Sequence, residues 1–388
     1  MFQSTIKNVL NTISRRELQE LAPTTIINKK FNLNRVPSTT SRQQLMHQRD
    51  NYRIPHIASK NYSLSSDVAR RCYDKKKLLM KKHLNWRVKG LIQLLLSKIP
   101  FGVNINHKLQ FLRGAYTEKG LLKSALIQSD QIREFDHRQS IENSTVLEIG
   151  TGWSLIGVIL FHLKGAKKIF GVDLHPHANH KVAHILLRGL LSDINGIATC
   201  LGVSKAETEH KIKLLLKCNS NKSLFECLNF TYIAPGDARH TNLKDSSVDI
   251  VFSYGVLEHI PTDVLAEVFD ENNRILKNNG TSYHNIGMHD HYDSAGLGNG
   301  VNFLKYPQWY WQLMTGNDIS YHNRLRLSDY RRMFKNSSLL ISNEKISVPQ
   351  KNIDALKQIK LNQQFHGYSK TDLAAAEYFV DLKVANTI

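Results

Sequence analysis

Val146-Leu-Glu-Ile-Gly-Thr-Gly152, followed further along by Gly171-Val-Asp173, is the stretch whose reading decides the fold. Val146 to Ile149 are apolar except for Glu148 and make one short buried strand. Gly150 and Gly152 break that strand and let the backbone pass close under a ligand, with no Cβ atoms in the way. The apolar run Leu155 to Leu163 reads as the next helix, and Ile169 to Val172 as a second, parallel strand. Asp173 ends that strand where a carboxylate can accept hydrogen bonds from both ribose hydroxyls of a nucleoside. The unit is a nucleoside-binding strand, turn, helix and strand.

Glu148 narrows the ligand. A dinucleotide site uses G-x-G-x-x-G to lay a pyrophosphate on a helix N-terminus. Here the third glycine position is Leu155, and a carboxylate at Glu148 repels a pyrophosphate but suits the ammonium of an amino acid. E-x-G-x-G followed by a distal Asp resembles motif I of the class I S-adenosylmethionine-dependent methyltransferases. Three later segments extend the resemblance. Tyr232-Ile-Ala-Pro-Gly-Asp237-Ala238 looks like the third strand and its adenine-contacting Asp. Ser247-Val-Asp-Ile-Val-Phe-Ser253 and Tyr254-Gly-Val-Leu-Glu258-His259-Ile260 match the fourth strand and the segment after it. Asn273-Arg-Ile-Leu-Lys-Asn-Asn-Gly280, with Thr281 to Ile286, resembles the helix, glycine turn and fifth strand.

The resemblance covers roughly residues 110–388. It implies an α/β protein with a Rossmann-like seven-stranded sheet, helices on both faces and S-adenosylmethionine as cofactor. Carried over residue by residue, the cofactor contacts are Glu148, Gly150, Gly152, Asp173, Asp237, Ala238 and Ser253. One departure is Trp153-Ser154, where many relatives continue G-x-G-x-G, so contacts to the methionine moiety differ there.

The charge of +19 is unevenly placed. Residues 1–144 hold 26 Lys and Arg against 10 Asp and Glu, whereas residues 145–388 exceed neutrality by only 3. The basic character therefore belongs to an N-terminal extension. The expected organisation is a flexible arm over 1–65, with a short helix near Ser14 to Leu21, then a basic helical extension and lid over 66–140. A methyltransferase domain over 141–388 follows, with insertions at 191–228 and 287–327. Leu84, Val88, Leu91, Ile92 and Leu95 recur at helical spacing within 75–98, amid many lysines. Such a helix either packs on the catalytic domain or lies on an anionic membrane surface, with nucleic acid the weaker third partner. The absence of an apolar leader run and the four unpaired-looking cysteines point to a cytoplasmic protein, in the second case peripheral to the inner face of a membrane. No signal in the sequence bears on oligomeric state.

The remaining order is strand 168–173, helix 177–190, strands 229–234 and 248–253, helix 262–276 and strand 281–286. A helix over Gly120 to Phe135 precedes the sheet, and strands at Leu339 to Ile346 and Ala376 to Lys383 close it.

Methyl transfer from a sulfonium is a direct displacement, so a hydroxyl acceptor needs alignment and a base. Ligands of open α/β sheets bind outside the carboxyl ends of the strands. His259 follows the fourth strand, and His289, Asp290 and His291 follow the fifth. His291, with Asp290 beside it, is the preferred base, and His259 the second. Phe303, Tyr306, Trp309, Tyr310 and Trp311 could stack on a ring or simply pack, and Asn323-Arg324-Leu-Arg326 could grip an anion or cap a helix. His177, His180 and His184 share a helical face, but no metal site is expected. The glycine motif, the aromatic insertion and Asn-Arg-Leu-Arg together look similar to methyltransferases of bacterial polysaccharide assembly. That implies a small-molecule or glycan acceptor methylated on a sugar hydroxyl. RNA methylation is the alternative suggested by the basic extension, and a non-catalytic scaffold the third reading. Against RNA, Ser253-Tyr-Gly-Val replaces the Asn/Asp-Pro-Pro-aromatic signature used on exocyclic base nitrogens.

Overall fold

The computed structural model describes residues 86–99, 102, 103, 105–107, 116–292, 299–317 and 319–385. The arm over 1–65 and the lysines of 75–82 lie outside the described residues. Among the described residues α1 (Trp86–Ser97) and α2 (Glu118–Asp136) precede the sheet. The alternating region follows as β1 (Thr145–Ile149), α3 (Ile156–Leu163), β2 (Lys168–Val172), α4 (His180–Ser192), α5 (Ile194–Leu201), α6 (Lys205–Leu215), α7 (Asn221–Cys227), β3 (Phe230–Ile233), β4 (Val248–Tyr254), α8 (Thr262–Ile275) and β5 (Leu276–Gly287). It ends with α9 (Gln308–Thr315), α10 (Leu327–Asn336), β6 (Leu339–Ser347), α11 (Gln350–Leu356), α12 (Lys370–Ala374) and β7 (Glu377–Val384).

The seven strands form one sheet in the order β3-β2-β1-β4-β5-β7-β6. β1 pairs in parallel with β2 and β4, so its alternate side chains enter the layers on both faces. Val146 joins the core under α2, α3, α4 and α5, while Leu147 and Ile149 join the core under α8 and α10. Strands buried on both faces must be apolar throughout, which is why Val146 to Ile149 reads as an unbroken run around Glu148. β7 is antiparallel to both β5 and β6 and completes the sheet. α4 begins at His180 because the Asn179 side chain accepts from Lys181 N, which leaves the preceding segment as a loop over the end of β2.

The aromatic residues of the second insertion form a third core with α1. Trp86 is buried among Tyr292, Tyr306, Tyr310 and Trp311, with ring centroids 5.3–6.5 Å apart. A Cβ on Gly90 would meet Met314 Cε at 2.9 Å, so α1 lies tight on α9. Of the five aromatics read as a possible stacking platform, Phe303 and Trp311 are buried and Tyr306 and Tyr310 are half-buried against the same cluster, leaving Trp309 exposed. The chain length between these rings hid the reason: their partner, Trp86, comes from the N-terminal extension. The described part of the extension helix is thus packed on the catalytic domain, and it leaves Ile92 and Leu95 exposed.

Trp86→Ala removes the ring at the centre of this cluster and should cost about 3–5 kcal/mol of stability. Urea unfolding of the full chain checks it, and a midpoint equal to the parent's would show that α1 contributes nothing to the fold.

Candidate functional site

The carboxyl ends of β2, β1, β4 and β5 line up along one edge of the sheet. The turn after β1 carries Gly150 and Gly152 at φ 76° and 63°, a region that a side chain resists. Gly150 N donates to Val172 O at 2.9 Å, and a Cβ on Gly150 would strike Val256 in the segment after β4. A Cβ on Gly152 would meet nothing within 4 Å, so this glycine borders open space. The turn thus has the cradle that a nucleoside requires.

Asp173 is the hub of that edge. It accepts from Thr151 Oγ1 at 2.5 Å and from Tyr232 Oη at 2.7 Å. Tyr232 Oη in turn accepts from the backbone N of His177 at 2.9 Å, tying the loop after β2 to β3. Burial raises the Asp173 pKa, while Thr151, Tyr232 and the Gly152 backbone oppose the rise. Gly171 has no side chain because a Cβ there would strike the Thr151 methyl at 2.3 Å and the Phe230 ring. Tyr232 lies inside a segment quoted from the sequence, yet its hydroxyl's role had no signature there.

Glu148 points under the start of α3. A Cβ on Gly157 would lie 2.2 Å from its Oε1, and its Oε2 has no hydrogen-bond partner. Burial first, then repulsion from Asp173, pushes its pKa up to about 8. A buried carboxyl with one oxygen unpaired is what an ammonium ligand would relieve.

The other expected contacts are placed less directly. Asp237 is half-exposed and its carboxylate is held by Arg239, with Nη2 to Oδ2 at 2.7 Å, which lowers its pKa. Ala238 packs partly buried on the core under α8. Ser253 is fully buried, and its hydroxyl bonds to His284 Nδ1 at 2.8 Å. Its side chain is spent inside the sheet, so a role for Ser253 would have to come from its backbone.

Beyond β4 and β5 the structure gathers a histidine cluster. Glu258 and His259 stand on the 3-10 turn Leu257–His259, and His291 follows β5. His291 Nε2 is 3.9 Å from Glu258 Oε1. The His291 ring stacks on His322 at 4.3 Å and lies 5.0 Å from His259 and 4.9 Å from His289. Burial drives the Glu258 pKa up to about 8 and the His291 pKa down to about 3. A neutral His291 is a lone-pair donor but a weak proton acceptor by itself. Its expected companion Asp290 is buried and accepts from Tyr292 N at 2.8 Å, a turn contact.

Asn323 holds the turn in place, donating to Leu257 O and Ile260 O at 2.9 Å each. Arg324 and Arg326, read as possible anion ligands, are buried instead. Arg324 donates to Phe303 O and Gln308 Oε1, and Arg326 to Met288 O. The helix-capping alternative does hold, since Asp329 accepts from Arg326 N at the start of α10. His177 lies against Trp153, and His180 pairs with Asn221 while its ring stands 6.0 Å from that of His184.

A family model described as a methyltransferase domain matches residues 196–283, from α5 to β5. Among curated proteins, none matches the chain in sequence. Among solved structures, a geranyl diphosphate C-methyltransferase from Streptomyces coelicolor is similar over 66% of this chain and 76% of its own, at 12% identity and a TM-score of 0.37. A magnesium protoporphyrin IX methyltransferase from Synechocystis is similar over 67% and 82%, at 11% identity and 0.37. The strand order, with its single antiparallel strand β7, is that of a Rossmann-like methyltransferase fold. With the match to a methyltransferase domain over residues 196–283, it makes the chain similar to the class I S-adenosylmethionine-dependent methyltransferases, whose cofactor is S-adenosylmethionine.

Asp173→Ala should weaken S-adenosylmethionine and S-adenosylhomocysteine binding by about 10- to 100-fold, the equivalent of roughly 1.5–3 kcal/mol for hydrogen bonds to a charged group. Titration calorimetry measures it, and unchanged affinity would remove Asp173 from the site.

Proposed function

We propose that this methyltransferase transfers the methyl group to a hydroxyl of a sugar or glycan, with the acceptor seated on the Glu258, His259 and His291 cluster. The observation that carries the reading is the continuity of the two sites. Gly150 of the glycine turn abuts Val256, and the same segment runs directly into Glu258 and His259. On this reading Glu148, Gly150, Gly152 and Asp173 hold the cofactor, with Asp173 at the ribose and Glu148 toward the ammonium. Asp237 and Ala238 border the adenine. Bound there, S-adenosylmethionine supplies an electrophilic methyl carbon on a sulfonium.

The chain's own part is to orient an acceptor oxygen and lead its proton away. His259 donates Nδ1–H to Tyr321 O at 2.7 Å, which leaves its Nε2 lone pair for the acceptor. His291 presents a second neutral imidazole across from it. Imidazole and carboxyl groups suit a hydroxyl, whereas the segment Ser253-Tyr-Gly-Val lacks the Pro-Pro-aromatic clamp of base-nitrogen methylation. The choice of sugar among hydroxyl compounds is supported by the resemblance to polysaccharide methyltransferases.

Incubation with labelled cofactor and a pool of small sugars, nucleotide sugars and lipid-linked glycans, read by mass spectrometry, should show a methyl ether on a sugar. Label entering RNA and no sugar would overturn the acceptor class. His291→Ala should lower kcat/KM by about 100-fold or more with cofactor affinity retained; equal loss of both would make His291 part of the cofactor site.

A further inference from the structure

We propose that Glu258, His259 and His291 form a binding site for one divalent first-row transition-metal ion, whose open positions take the acceptor hydroxyl. The role of the ion toward the acceptor rests on the reading above, whereas the binding of the ion does not.

The geometry is that of a site already assembled. One ligand atom from each of the three residues lies within 4.8 Å of the others. Ligands at about 2.0–2.2 Å from a zinc-like ion stand roughly 3 Å or slightly more from one another, so small side-chain rotations close the distance. The backbone makes room for it. A Cβ on Gly287 would lie 2.4 Å from Glu258 Oε1 and 3.2 Å from His291 Nε2, so only glycine lets the two approach. Glu258 Oε1 is fixed by Gly287 N at 3.0 Å.

Two further observations point to a missing ligand. Glu258 is 3% exposed and its Oε2 has no partner, nor has either ring nitrogen of the fully enclosed His322 stacked behind His291. A buried polar atom left unpaired costs about 1–3 kcal/mol, and a cation on Glu258 would answer that at one stroke. The outer contacts also match those of metal-binding histidines, which fix their tautomer by donating the far N–H to a carbonyl. His259 does this to Tyr321 O at 2.7 Å. Asn323 locks the turn that bears two of the three ligands.

Ligand chemistry selects the ion. Two imidazoles and one carboxylate suit Mn2+, Fe2+, Co2+ or Zn2+ rather than Mg2+ or Ca2+, which favour oxygen. Arg326 and Lys89 place positive charge near the histidines, which further disfavours an ion held by charge alone. Three protein ligands leave positions open, as catalytic sites do. With the ion bound, His259 and His291 give their lone pairs to it rather than to the acceptor's proton, and an acceptor oxygen there becomes more acidic and releases its proton to solvent. That oxygen's electron pair then forms the new bond to the methyl carbon, and the pair of the broken C–S bond stays on sulfur. No oxidant or reductant is needed.

The test uses the untagged full chain, freed of metal with a chelator and titrated with Co2+ and Zn2+. One ion per chain should bind, with visible ligand-field absorption for Co2+, and both signals should vanish in Glu258→Gln and in His291→Ala. Retained S-adenosylhomocysteine binding shows that each variant is folded, and His366→Ala, an exposed histidine, should leave uptake unchanged. No stoichiometric uptake of either ion, or uptake and absorption unaltered in both folded variants, overturns the site. Methyl transfer that persists undiminished in the metal-free chain overturns the ion's role toward the acceptor and leaves the methyltransferase reading intact. Ion binding with no methyl transfer to any hydroxyl compound, metal present, sinks that reading and leaves the ion site standing.

Discussion

The carboxylate of Asp173 is the contact on which the ligand-binding edge depends. It accepts from Thr151 in the turn after β1 and from Tyr232 at the end of β3, while standing itself at the end of β2. Three strand ends are thereby referenced to one charged group. Because Asp173 is buried, those donors do more than decorate it; without them the ionised form would be costly. The geometry also explains why Gly171 is glycine. Any side chain there would occupy the space of the Thr151 methyl and break the first of the two links.

Along the same edge the fold leaves polar groups unpaired. Glu148 Oε2 and Glu258 Oε2 are both buried without partners, and both carboxyls have pKa values pushed up to about 8. Each sits beside a glycine whose Cβ would collide with it, Gly157 in one case and Gly287 in the other. Asn272, Asn302 and Asn352 also carry unpaired buried atoms, whereas Asp329 accepts from both Arg326 N and Tyr368 Oη. A cost of about 1–3 kcal/mol per orphan is sustained at the ligand edge, where a bound cationic group can recover it.

Much of this was legible in the sequence, for physical reasons. Strands enclosed by helices on both faces must be continuously apolar, so β1, β2 and β4 announce themselves, and the glycine turn follows from its position. The order of the strands came with the resemblance. Elements too short for periodicity were not legible: α11 and α12, between β6 and β7, are seven and five residues long. The aromatic insertion was ambiguous because Trp86, which organises it, is distant in the chain. The histidine cluster was half visible. His259 and His291 could be placed by their strands, but their approach to Glu258 depends on Gly287, and His322, just before Asn323-Arg324-Leu-Arg326, had no signal of its own.

That segment, 321–326, links stability to chemistry. Tyr321 O fixes the His259 tautomer, His322 stacks on His291, and Asn323 pins the turn carrying Glu258. The next residues anchor it: Arg324 donates to Phe303 O and Gln308 Oε1, and Arg326 reaches Met288 O. The groups that Arg324 holds are continuous with those that orient the cluster. Its guanidinium stacks over Trp311, which in turn packs on Trp86 of α1. A contiguous chain of contacts thus runs from the N-terminal helix to the acceptor side of the sheet. Packing of α1 is then part of what fixes the histidines, and the extension is no mere appendage to the catalytic domain.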